Sequence, residues 1–155
     1  MVRIGINGFG RIGRMAFRAA LARSDVEVVA VNDLLDLPHL AYLLRHDSVR
    51  GRLPQPVEAV DGALSVGHRS VRATAVRDPS EAAWGALDVD VVIESTGVFL
   101  TREKAEAHRR AGARRVILSA PPKDDTPLYV VGVNSDRYQG EPVVSAASCT
   151  TNCLA

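Results

Sequence analysis

Residues Gly8–Gly13 read GFGRIG, a G-x-G-x-x-G pattern, and their surroundings constrain the chain more than any other feature. Before them, Val2, Ile4 and Ile6 alternate and Asn7-Gly8 breaks the run, as expected of a short buried strand over Met1–Asn7. After them, Arg11–Arg23 has helical spacing through Ile12, Met15, Ala16, Ala19 and Ala20. A glycine-rich turn between a strand and a helix is the context in which this pattern binds a dinucleotide. Gly8 permits the tight turn, Gly10 lets backbone approach a pyrophosphate, and Gly13 lets helix and strand pack closely. The helix start then offers free N–H groups and the positive end of the dipole to phosphate.

The rest of the chain extends the same pattern. Val26–Asn32 (VEVVAVN) reads as a strand buried on both faces, and Asp36–Arg45 as a short helix. From Gly51 to Arg77 the character changes. Val57–Val60, Leu64–Val66 and Ser70–Val76 are separated by Asp61-Gly62 and Gly67-His68, which predicts a small antiparallel meander. Asp88–Glu94 and Arg115–Ala120 read as buried strands flanking a helix over Thr101–Ala111, capped by Thr101 and stopped by Gly112. Leu128–Val133 and Pro142–Ala146 are further candidate strands. Val-rich strands alternating with helices predict an α/β fold: a Rossmann-type, doubly wound parallel sheet with the meander inserted.

Asp33 follows the second strand, 20 residues beyond Gly13, where such folds place an acid against the adenosine ribose. Its charge repels a 2′-phosphate, and residues 34–37 include no basic side chain, so NAD is expected rather than NADP. A solvated turn residue is the plainer alternative for Asp33. The absence of G-x-x-x-x-G-K-[ST] excludes a phosphate-loop NTPase on pattern.

Ser145–Ala155 reads SAASCTTNCLA, with Ser148 placed as an N-cap and Cys149 opening a helix. Helix starts favour a nucleophilic thiolate and suit anions such as phosphate. A buried, inert thiol is the competing reading for Cys149, and Cys153 is expected to be a packed small residue. No closing cap follows, so the chain is expected to be the front part of a longer protein. The two cysteines with His39, His46, His68 and His108 match no zinc pattern, and no metal is expected.

Charge and composition narrow the class. Nineteen basic against eighteen acidic residues leave a net charge of +1, which argues against a nucleic-acid binder. Arg109, Arg110, Arg114 and Arg115 are expected to be a solvated helix end. With 46% hydrophobic residues but no apolar run near ~18, the chain is expected to be globular, without a membrane span. Two cysteines and no secretory leader point to a cytoplasmic setting.

INGFGRIGR at Ile6–Arg14, ND at Asn32–Asp33, HDSVRG at His46–Gly51, ESTGVF at Glu94–Phe99 and SCTTNC at Ser148–Cys153 together resemble the phosphorylating, NAD-dependent glyceraldehyde-3-phosphate dehydrogenase family, collinearly across the chain. The resemblance implies residues 1–148 as an NAD-binding domain and 149–155 as the start of the catalytic domain's first helix. It implies Arg11 and Ile12 at the pyrophosphate, Asp33 at the ribose and Arg77 near the adenine. It also implies Thr96, Gly97 and Ser119 as a nicotinamide-side wall. Cys149 is implied as the nucleophile, with Ser148 and Thr150 in an anion site for phosphate.

The implied reaction converts glyceraldehyde 3-phosphate and inorganic phosphate to 1,3-bisphosphoglycerate, in a glycolytic homotetramer. The family's histidine base belongs to the half not matched here, so this chain alone is expected to bind NAD without turning over. A stand-alone NAD-binding module and an erythrose-4-phosphate dehydrogenase relative are the alternatives. Asp33 argues against the second, whose family usually carries Glu at that place.

Overall fold

The computed structural model describes all residues, Met1–Ala155. In chain order the elements are β1 (Val2–Asn7), α1 (Arg11–Leu21), β2 (Val26–Asn32), α2 (Leu37–Arg45), β3 (Val57–Val60), β4 (Ala63–Val66) and β5 (Arg69–Thr74). Then follow β6 (Val91–Glu94), α3 (Arg102–Arg110), β7 (Arg115–Leu118), β8 (Val143–Ser145) and α4 (Cys149–Leu154). Eight strands form one sheet in the order β3-β4-β5-β2-β1-β6-β7-β8.

Six of them, β5-β2-β1-β6-β7-β8, run parallel. Numbered among themselves, these six have the 3-2-1-4-5-6 order of the dinucleotide-binding fold. β3 and β4 add antiparallel to the β5 edge. The meander's third strand is therefore also the outer strand of the parallel sheet.

The helices divide between the two faces. Ile6, Phe9, Phe17, Leu40, Leu44 and Leu64 form one core under α1 and α2. Trp84, Val89, Val92 and Ala113 form a second core on the other face. Alternation along β1 separates the two. A Cβ built on Gly13 of α1 lies 3.1 Å from the Ile6 side chain, whereas a Cβ on the preceding Gly5 meets the Trp84 ring at 2.9 Å. Ala105 of α3 packs with Val116, Leu118 and Val143.

Several expectations require correction. Leu128–Val133 is not a strand: only Leu128 bridges to Ser145. Pro127 has no N–H to donate, and Val130 closes a turn by accepting from the Val133 and Asn134 N–H groups. The buried face of α1 is Gly13, Arg14, Phe17 and Ala20, while Ile12 is 55% exposed. The apolar count misplaced that face because the helix buries an arginine. Residues 79–87, unassigned from sequence, form two 3-10 turns that carry Trp84 into the core. Cys153 is exposed rather than packed. Arg110, Arg114 and Arg115 are exposed as expected, whereas Arg109 is half-buried; Arg109 pairs with Glu106 and Arg114 with Asp90.

Candidate NAD-binding crevice and the Cys149 turn

In an open parallel sheet, ligands bind beyond the strand C-termini where the strand order reverses. That point lies between β1 and β6. A crevice of about 430 Å³ opens there, with Asn7 and Gly8 at the end of β1, Asn32–Leu34 at the end of β2, Val76 and Arg77 after β5, and Ser95, Thr96, Val98 and Phe99 after β6.

The glycine turn is built as its spacing implies. Gly8 has φ +88°, and a Cβ on Gly13 would stand 2.2 Å from the Gly8 carbonyl oxygen. Around Gly10 a Cβ would meet nothing within 4 Å, so the backbone there faces open space. No side chain caps α1, and the amides of its first turn, at Arg11, Ile12 and Gly13, stand at its open end. The Asp33 carboxylate accepts from the Phe9 N–H (2.6 Å) and the Leu35 N–H (3.0 Å), tying the turn to the end of β2. Beneath the turn, Arg14 donates to the Phe9 carbonyl (2.9 Å). Burial lowers the pKa of its guanidinium, against the opposing pull of Asp47 and Asp33.

A second set of groups, whose connection the sequence does not show, joins crevice-lining Asn7, Asn32 and Thr96 to buried Glu94, His108 and Trp84. The Glu94 carboxylate is fully buried. It accepts from Asn7 Nδ2 (2.6 Å), the Thr96 N–H (2.8 Å) and the Thr96 hydroxyl, and faces His108 Nε2 at 2.8 Å. Trp84 Nε1 donates to His108 Nδ1 (3.1 Å). Asn32 donates to Asn7 Oδ1 (2.7 Å) and to the Val76 carbonyl (2.9 Å), and accepts from Thr74 and the Val76 N–H. The sequence signal was polar residues ending otherwise apolar strands: Asn7, Asn32 and Glu94 each close one. Such residues cost free energy unless partnered.

Of the expected binding residues, Gly8, Gly10, Asp33, Arg77 and Thr96 line one crevice. Arg11, Ile12 and Gly13 form the helix start beside it. Gly97, at φ +77°, and Ser119, whose N–H donates to the Glu94 carbonyl (2.9 Å), do not line it. Leu34, Val76, Val98 and Phe99 add apolar walls not singled out from sequence.

Cys149 lies apart from the crevice, at the start of α4. After β8, Ser145 Oγ donates to the Ala120 carbonyl (2.8 Å) and accepts from the Ala147 N–H (3.0 Å). Ala147 adopts φ +64°, which turns the chain into the N-cap Ser148. Ser148 Oγ accepts from the Thr151 N–H (2.9 Å) and contacts the Thr150 (2.9 Å) and Thr151 (2.7 Å) hydroxyls. Cys149 is exposed and not disulfide-bonded, which removes the reading of a buried thiol.

The pattern of groups suits a dinucleotide: uncapped amides and open space at Gly10 for a pyrophosphate, a carboxylate for ribose hydroxyls, and apolar walls for a base. The family model described as glyceraldehyde 3-phosphate dehydrogenase, NAD binding domain, matches residues 2–102. The chain belongs to this family. It is 57% identical over 155 residues to the cytosolic glyceraldehyde-3-phosphate dehydrogenase of Leishmania mexicana, covering all of this chain and 47% of that protein. It is 55% identical over 154 residues to the Salmonella typhimurium glyceraldehyde-3-phosphate dehydrogenase, covering 99% of this chain and 46% of that protein. The cytosolic enzyme of Trypanosoma brucei brucei is 54% identical over 155 residues, covering 100% and 47%. The chain spans about half the length of these curated relatives. It is an NAD-binding domain of the glycolytic dehydrogenase family, and none of its helices is long and apolar enough to cross a membrane.

Proposed function

We propose that this chain is the NAD-binding and nucleophile-bearing part of an enzyme that converts glyceraldehyde 3-phosphate, NAD and inorganic phosphate to 1,3-bisphosphoglycerate. The observation that carries the reading is one sheet with a dinucleotide crevice at the β1/β6 reversal and an exposed cysteine opening a helix past β8. Residues 1–148 are the cofactor domain, and 149–155 begin a helix of the catalytic domain. Gly8, Gly10 and Gly13 shape the turn. Arg11 and Ile12 present amides to the pyrophosphate, Asp33 holds the ribose, and Arg77 flanks the adenine. Thr96, Gly97 and Ser119 belong to the wall extending from β6 and β7 towards the nicotinamide.

NAD, when bound, supplies the acceptor for a hydride. The chain's own part begins with the Cys149 sulfur, which adds to the aldehyde carbon to form a thiohemiacetal. Loss of the hydroxyl proton and a hydride from that adduct leaves a thioester on Cys149. A phosphate oxygen then attacks the thioester carbon, the C–S bond breaks, and the thiolate leaves the acyl phosphate. The hydroxyls of Ser148 and Thr150 and the first amides of α4 are the groups that take this phosphate. The base that takes the hydroxyl proton comes from outside this chain. The complete enzyme is cytoplasmic, in keeping with its cytosolic relatives, and a homotetramer, as the family resemblance implies.

The test is NADH formation from glyceraldehyde 3-phosphate, NAD and phosphate by the protein that joins this chain to a base-bearing half. Cys149→Ser must abolish it. NAD binding without turnover in that assembly leaves a binding module instead. Faster turnover of erythrose 4-phosphate assigns the related dehydrogenase.

A further inference from the structure

We propose that Glu94 is a positioning residue that fixes the spacing of the two crevice walls, and that it sets affinity for the adenosine part of the cofactor without touching it. The inference rests on the crevice being the NAD site and deepens that reading.

The walls come from distant parts of the chain. Val76 and Arg77 follow β5 on one side; Thr96, Val98 and Phe99 follow β6 on the other. Between them runs one continuous line of hydrogen-bonded groups, with Asn32, Asn7 and Glu94 buried between half-buried Thr74 and exposed Thr96. Thr74 and the Val76 N–H bond to Asn32, Asn32 to Asn7, Asn7 to Glu94, and Glu94 to both the N–H and hydroxyl of Thr96. The Thr96 oxygen in turn accepts from the Val98 N–H (3.1 Å). Glu94 is the branch point, because the line also continues backwards through His108 to Trp84.

The direction of every bond in that branch is forced. An indole N–H only donates, so His108 Nδ1 must be the acceptor and Nε2 carries the proton. His108 Nε2 then donates to Glu94, as do Asn7 Nδ2, the Thr96 N–H and the Thr96 hydroxyl. Four donors converge on one carboxylate, and only a group that accepts at both oxygens satisfies them all. An amide at this place sets its own NH2 against either His108 and Asn7 or Thr96. His108 cannot relieve the conflict by exchanging tautomer, because Nδ1–H would then oppose the Trp84 N–H. The conflict therefore falls on Asn7 or on Thr96, the one exposed member of the set, and one wall shifts.

The test is calorimetric titration of the chain and of Glu94→Gln with NAD and with AMP, beside their melting temperatures. We expect the variant to remain folded at 25 °C and to lose affinity for both ligands by a common factor of about tenfold or more. A folded variant with unchanged AMP affinity overturns the proposal and reduces Glu94 to a structural role. Failure of the unmutated chain to bind NAD overturns the crevice reading and the proposal with it.

Should Glu94→Gln not fold, Thr74→Val and Thr96→Val provide a double-mutant cycle on AMP affinity. Thr74 closes β5 just before the Val76–Arg77 wall, Thr96 belongs to the opposite wall, and the two are joined through Asn32, Asn7 and Glu94. Affinity losses smaller in the double variant than the product of the single losses support the line; simple multiplication overturns it. Nitrogen NMR of His108 gives an independent reading. The Nε2–H tautomer is expected, and the Nδ1–H tautomer or an imidazolium overturns the forced direction.

Discussion

Asp33 does two jobs, and separating them gives the sharpest residue-scale prediction. One oxygen accepts from the Phe9 N–H and the other from the Leu35 N–H, so the carboxylate holds the glycine turn in place. It also lines the crevice, where the proposed function gives its remaining lone pairs to a ribose. Asp33→Gly removes both contributions for NAD. A hydrogen bond to a charged group contributes ~1.5–3 kcal/mol, so NAD affinity should fall on the order of tenfold to a hundredfold. For NADP the same change also removes a charge repelling the 2′-phosphate, and the net loss should be much smaller. The preference for NAD over NADP should therefore narrow. Titration of both cofactors measures it, and a ratio unchanged by the substitution would show that Asp33 does not face the 2′ position. Glu94 marks the limit of such reasoning from sequence. ESTGVF was visible as a motif, but its glutamate acquires meaning only from Asn7 and His108, 87 and 14 residues away.

At the scale of the element, the strand–turn–helix unit separates fold from binding. Gly13 packs against the Gly8 carbonyl, with 2.2 Å left for a Cβ. Gly13→Ala forces backbone atoms apart and should cost ~1–3 kcal/mol, as overpacking does. For a chain of this size that lowers the melting temperature by ~2–4 °C per kcal/mol. Gly10 has φ −67° and open space around it, so Gly10→Ala should leave the melting temperature within about a degree of the unmutated chain. On the proposed placement of the pyrophosphate its methyl takes that group's space, and NAD binding should weaken. Parallel thermal melts and NAD titrations check the pair; a large stability loss at Gly10 would refute the division of roles. The α3 entry carries a pH dependence. The Asp124 carboxylate accepts from the Thr126 hydroxyl (2.5 Å) and from the N–H groups of Thr126 (3.1 Å) and Arg102 (2.6 Å). The Thr126 hydroxyl, with the Arg102 N–H next, lowers its pKa below the ordinary carboxyl value of ~3.9. Stability from this clamp is thus fully present above about pH 4 and is lost as pH falls through the lower folded-state value. Urea midpoints of Asp124→Asn should accordingly fall less steeply between pH 5 and 2.5 than those of the unmutated chain, and equal slopes would discount the clamp. Elements with strong periodicity were legible: Val26–Asn32 matches β2 residue for residue, Thr101 caps α3 as read, and the helix read over Asp36–Arg45 runs Leu37–Arg45 with Asp36 as its cap. Leu128–Val133 was misread because its β-branched residues satisfy a turn through Asn134 and Val130, a pairing that composition does not encode.

On the scale of the whole molecule, the chain sets one cofactor crevice and one exposed cysteine on a single sheet. The β6–β8 face turned away from α3 carries Val91, Ile117 and Val144, all half-buried, in a cavity of about 500 Å³ with Tyr129 and Tyr138. Exposed apolar area of this kind favours association. Cys149 stands exposed among hydroxyls that bond chiefly to one another. Of the four histidines, His108 is fully buried and bonded at both ring nitrogens, so it has no nitrogen left for a substrate. Aldehyde oxidation on Cys149 needs removal of the thiohemiacetal proton, and a positioned base typically contributes ~10²–10⁴ in rate. It also needs the substrate phosphate held at a distance from the reacting carbon, because that remote binding energy orients the reaction. The two deficits multiply. We therefore expect the purified 155-residue chain to bind NAD yet form NADH from glyceraldehyde 3-phosphate and phosphate at less than about one hundredth of the rate of an intact relative. Turnover within about tenfold of that relative would mean that His39, His46 or His68 reaches Cys149 and acts as the base. Alanine substitution at each of the three would then identify which.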